Sequence, residues 1–111
     1  MTLTVTDADP PAFAIRQADG PACLRALGVH RLTDGQLAWR IGQHDPAACA
    51  GRVTYGELPS GYRQLGPSRA LVPGARYRVT ITGPGFNEAT VFTAAARLTP
   101  PSSAPAGPRS R

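Results

Sequence analysis

The stretch from Gly28 to Gly42, GVHRLTDGQLAWRIG, decides the fold. Apolar and polar residues alternate on both sides of Asp34-Gly35, the mark of two half-buried strands joined by a turn. Asp-Gly suits a type I′ turn, in which both central residues need positive φ. A two-residue loop sets Thr33 against Gln36, Leu32 against Leu37 and His30 against Trp39. Leu37, Trp39 and Ile41 then share one face with Leu32 and His30 opposite them, and that face is the expected core.

The same period of two recurs outward in both directions. Upstream, Thr2 to Thr6 alternates, and Phe13 to Gln17 follows an Asp-Pro-Pro break. Downstream, Arg52 to Gly56 puts Val53 and Tyr55 on one side, and Tyr62 to Leu65 reads as a short edge strand. In Ala75 to Gly83, Tyr77, Val79 and Ile81 point one way while Arg76, Arg78, Thr80 and Thr82 point the other. Glu88 to Ala95 is the last strand. Residues 22–27 offer at most one helical turn, and no longer stretch carries a capped 3.6-residue stripe. The fold class is therefore all-β: a single β-sandwich of about seven short antiparallel strands. Residues 1–20 form an N-terminal extension, either an added edge strand or a segment outside the sandwich. Residues 21–97 form the sandwich, and 98–111, rich in Pro, Ser and Arg, form a disordered tail.

From Pro21 onward the order of features resembles a fibronectin type III domain, within the immunoglobulin-like sandwiches. Leu37-Ala38-Trp39 matches the core Trp of that family's second strand, and Tyr55 matches a tyrosine on the third. Leu71-Val72-Pro73-Gly74-Ala75-Arg76-Tyr77-Arg78-Val79 matches its L-x-P-G-x-x-Y-x-V motif. The resemblance implies a tyrosine corner, with Tyr77 packing under the turn and its hydroxyl bonding back to the backbone upstream. Val79 stands where an antibody-type domain carries Cys, which favours the fibronectin-like branch. The interval from Trp39 to Tyr55 is long for the family, and residues 1–20 have no counterpart. Such domains serve many functions, so the fold alone assigns none.

The formal net charge of +5 comes from twelve Arg and no Lys, scattered from Arg16 to Arg111. Scattered Arg without Lys argues against a nucleic-acid binder. No run of apolar residues is long enough to span a membrane, and no signal peptide is visible at the N-terminus. Cys23 and Cys49 are the two thiols. Paired, they close a loop of about 27 residues and add roughly 3–4 kcal/mol in the chain-entropy model. Pairing places the protein in the periplasm or outside the cell; free thiols place it in the cytoplasm.

Five groupings invite a chemical reading. Cys23, His30, His44 and Cys49 are a nominal Cys₂His₂ set, but the close C-x₂₋₄-C pair typical of zinc sites is missing, and no metal is expected. His44, Asp45 and Cys49 lie on one loop without an orienting third group, so no nucleophilic catalysis is expected. Gly83-Pro84-Gly85 lacks the spacing of a phosphate loop, and no cofactor is expected. The remaining candidates are binding surfaces. One is a loop patch of His44, Asp45, Phe86 and Asn87, where two loops at one end of a fibronectin-like sandwich converge. The other is a basic face carrying Arg76 and Arg78, joined by Arg52 or Arg63. The functional expectation is a non-catalytic binding or structural module with a protein partner. Its alternative is a cytoplasmic module that docks on an acidic partner through the Arg face.

Overall fold

The computed structural model describes residues 2–6, 8–17 and 20–95. The tail expected at 98–111 lies outside the described residues. Among them the chain forms β1 (Thr2–Val5), β2 (Ala12–Gln17), β3 (Gly20–Pro21), β4 (Ala26–Arg31), β5 (Leu37–Gln43), β6 (Arg52–Thr54), β7 (Tyr62–Ser68), β8 (Arg76–Gly83) and β9 (Phe86–Thr93). All pairings are antiparallel. The smaller sheet pairs β2 with β1 on one side and with β3 and β6 on the other; the larger runs β7-β5-β4-β8-β9. The residues expected to turn through 22–27 lead directly into β4, without a helical turn.

The sandwich does not begin at residue 21. Residues 12–17, expected in an extension, form the centre of the smaller sheet, and Phe13 and Ile15 are buried in the core. Phe13 meets Phe92 of β9 edge-to-face at 5.6 Å, joining the two sheets. From the larger sheet, Leu27, Val29, Trp39, Ile41, Tyr77, Val79 and Ile81 fill the other half of the core. The Trp39 ring packs at 5.1 Å on Tyr55, which follows β6 directly. Burial, with a smaller contribution from nearby Tyr77, pushes the Tyr55 phenol up to about 12. It therefore stays protonated and donates to the Arg69 carbonyl.

The β4–β5 hairpin departs from the two-residue turn. Arg31 N–H donates to Gln36 O and Gly35 N–H to Arg31 O, which makes a four-residue loop. Gly35 alone in this loop has positive φ, 70°. The Asp34 carboxylate selects this geometry. It accepts from the Arg31 guanidinium at 2.6 Å and from Gln36 N–H at 3.0 Å, and these bonds hold it down to about 2. A bulge follows at Val29/His30, so that Val29 opposes Trp39 and His30 opposes Leu37. One residue of slip reverses the face: His30 sits on the outside of the sheet, not beside Trp39 in the core.

At the start of β8, beside this loop, Val72 N–H donates to the Tyr77 hydroxyl at 2.9 Å, while the Tyr77 ring stacks on Phe92 at 5.8 Å. Tyr77→Phe keeps the ring and removes the acceptor. It is expected to lower stability by about 1 kcal/mol, read as a shifted urea midpoint with an unchanged m-value.

Candidate functional site

The loop patch does not assemble into one surface. His44 and Asp45 are exposed, and both their N–H groups donate to the Gly61 carbonyl, at 2.8 and 3.0 Å. The Asp45 side chain accepts from Ala47 N–H at 2.9 Å, which closes a tight turn. Phe86 belongs elsewhere. It is half-buried against the core, and its ring lies over Gly83, where an added Cβ would come within 2.2 Å of it. In the sheet, β4 and β8 stand between β5, which carries the His44 turn, and β9, which carries Phe86 and Asn87. At about 4.8 Å per strand, that separation is roughly 14 Å.

Cys23 and Cys49 are joined by a disulfide. Both thiolates of the nominal metal set are thereby consumed, as is the sulfur of the His44-Asp45-Cys49 grouping. Cys23 precedes β4 in the larger sheet and Cys49 precedes β6 in the smaller, so the bond ties the two sheets together at one end.

The outer face of the larger sheet gathers the charge. Residues directly opposite in an antiparallel ladder share a face. Across the sheet, Arg63 opposes Gly42, then Ala26, Thr82 and Asn87. In the next row Arg40 opposes Gly28, then Thr80 and Ala89. Beyond it lies Leu37, followed by His30, Arg78 and Val91, and Arg76 is the next outward residue of β8. The face thus carries Arg40, Arg63, Arg76 and Arg78, all exposed, together with His30. Arg52, on β6, belongs to the other sheet.

No outward position of these five strands holds a carboxylate, and none of the four Arg has an ion-pair partner among the described residues. The ion pair found among them, Arg31 with Asp34, belongs to the β4–β5 loop. Of the two residues expected to join Arg76 and Arg78, Arg63 does so, whereas Arg40 could not be added from sequence, because the pairing of β5 with β4 brings it there. The period-two alternation around Arg40 marks it only as an outward residue.

An open groove of about 330 Å³ runs through the middle of this face, lined by Ala26, Gly28, His30, Arg40, Thr80 and Thr82. The His30 imidazole borders Gly28, its Cε1 3.5 Å from where a Cβ would stand. A Leu65 methyl covers Gly42 more closely, 2.6 Å from where a Cβ would stand, beside Ala26. Among the described residues, no cluster of three His, Cys, Asp or Glu is placed to hold a metal ion, and no helix is long and apolar enough to cross a membrane. No family model, curated protein or solved structure matches this chain.

Proposed function

We propose that this protein is a non-catalytic binding module that docks on an acidic protein partner through the outer face of its larger sheet. One observation carries the reading: Arg40, Arg76 and Arg78 stand on interior strands of a face without a carboxylate. Outward charges on an edge strand discourage unwanted strand pairing. Arg63 on the edge strand β7 serves that purpose, but β5 and β8 are each paired on both sides, so their Arg guard no edge. Crowded like charges oppose folding slightly, and an acidic partner turns that repulsion into attraction.

Further support comes from the chemistry that the fold has consumed. Cys49 is oxidised, and His44 and Asp45 are held in a turn, so the grouping nearest to a catalytic one has no nucleophile. The disulfide favours the periplasm or the extracellular space, where such bonds persist. Kinship with fibronectin type III domains belongs to the same proposal; it is supported by the bond from Val72 N–H to the Tyr77 hydroxyl and by Trp39 in the core.

Polyglutamate is the probe for this reading. The wild-type protein is expected to bind it at low ionic strength and to lose affinity steeply as salt rises. Arg76→Ala/Arg78→Ala is expected to weaken binding about tenfold, or about 1.4 kcal/mol, with its melting temperature unchanged. Binding that ignores salt, or that survives this double substitution intact, refutes the proposal.

A further inference from the structure

Gly28 sits in the middle of β4, a central strand of the larger sheet. Glycine in a strand interior costs about 0.5–1 kcal/mol relative to alanine, so its presence needs a reason. Neither backbone nor packing supplies one. Its φ lies outside the left-handed region, and an added Cβ would meet only the His30 ring, at ordinary contact distance. Gly83 is a useful contrast, since a Cβ there would collide with the Phe86 ring and the Cys23 carbonyl. What the missing side chain at Gly28 does is leave the floor of the outer groove open. Interior strand glycines commonly mark places where a ligand or another backbone comes close.

The walls of that groove state the chemistry. Arg40 on β5 and Thr80 on β8 flank Gly28 directly, one strand away on either side. A guanidinium and hydroxyls on either side of Gly28, on strands about 10 Å apart, suit a carboxylate seated between them, with the Arg fork and the Thr O–H groups all donating. The outward positions of the sheet carry no Phe, Tyr or Trp on which a sugar or a base would stack. A polypeptide is therefore the occupant that matches the face.

Resting on the acidic-partner reading above, we propose that the groove seats an extended acidic segment of the partner protein. Its backbone passes over Gly28, and one carboxylate lies between Arg40 and the hydroxyls of Thr80 and Thr82. In an extended chain the side chain two residues on, on the same face, falls about 7 Å away. There it meets Arg78, the neighbour of Thr80 on the outward face of β8. The preferred segment thus has acids at alternate positions.

The test is calorimetric titration of the full chain with two capped peptides of equal Glu content, one alternating Glu with Thr and one carrying its Glu in a block. The alternating peptide is expected to bind several-fold more tightly. Gly28→Val, which fills the groove with a strand-favouring residue, is expected to weaken its binding about tenfold at an unchanged or higher melting temperature. Arg40→Ala is expected to do the same. If Gly28→Val binds both peptides as the wild type does while Arg76→Ala/Arg78→Ala binds weakly, the groove proposal is overturned and the basic-face reading stands. If neither peptide binds at low salt, or if a heparin oligosaccharide binds where they do not, both are overturned together.

Discussion

Phe13→Ala is expected to bring the protein to the edge of unfolding, with a loss of about 3–5 kcal/mol. Small domains have about 5–15 kcal/mol in total, and a chain of this length lies toward the lower end. Phe13 is fully buried, opposite Val5 on one side and Val53 on the other. It is the point at which three strands of the smaller sheet meet the core, and its edge-to-face contact with Phe92 spans the sandwich. Removing the ring leaves a cavity lined by both sheets, which neither can collapse to fill without breaking its ladder. Leu3→Ala on the edge strand β1, where the side chain is only half-buried, is the control and should cost well under half as much. Equilibrium urea denaturation checks both variants. A Phe13→Ala loss below about 1 kcal/mol would show that the N-terminal strands are an appendage.

That expectation differs from the one the sequence suggests, and the reason is physical. Asp9-Pro10-Pro11 reads as a break between units, and each flanking stretch is too short to declare a core of its own. What makes β2 central is its pairing with Arg52–Thr54, some forty residues later, and a local pattern cannot carry a long-range partner. The Gly28 to Gly42 hairpin shows a related limit. Its strands were legible from alternation alone, and Trp39 and Ile41 are core residues as expected. The register was not legible, because the Asp34 carboxylate binds Arg31 and Gln36 N–H and so lengthens the loop from two residues to four. That choice, with the bulge at Val29/His30, moved His30 from the expected core to the outer groove.

The candidate site divides along the same line. Arg76 and Arg78 were legible as outward residues of one strand, and Tyr77 between them as the residue that bonds back to Val72. Arg63 was one of two candidates to join them, and the other, Arg52, lies in the other sheet; Arg40 joins only through register, so the basic face was visible in part and its groove was not. Phe86 was open on sequence. A lone aromatic beside Gly83-Pro84-Gly85 suits an exposed loop tip and a ring folded back onto the core equally well. Pro84-Gly85, with Gly85 at φ 80°, makes a tight β8–β9 turn that lays the ring over Gly83.

Cys23→Ser/Cys49→Ser is expected to lower the melting temperature by about 15–25 °C without altering the native structure. The two cysteines stand 26 positions apart and enclose β4 and β5, the hairpin at the centre of the larger sheet. In the chain-entropy model, closing a loop of that length restricts the unfolded chain by about 3.5 kcal/mol. For a domain of this size, each kcal/mol is worth about 4–8 °C. The native state does not need the bond to hold its geometry. Leu24 N–H donates to Ala50 O at 3.1 Å, and the buried Tyr62 hydroxyl accepts from Ala50 N–H while donating to Leu24 O. These bonds clamp the same two chain segments one residue beyond each sulfur. Amide chemical shifts away from positions 23 and 49 should therefore match between oxidised protein and double variant, while the melting midpoint falls. Mass measured after alkylation, with and without prior reduction, confirms that the wild-type sample is fully oxidised. A midpoint that moves by less than about 3 °C would show that the unfolded chain gains little freedom from the cut. It would also remove the main support for an oxidising compartment, because a sandwich equally stable with free thiols is equally suited to the cytoplasm. A large fall has the opposite meaning: much of the stability of this small core then depends on a bond that only an oxidising compartment maintains.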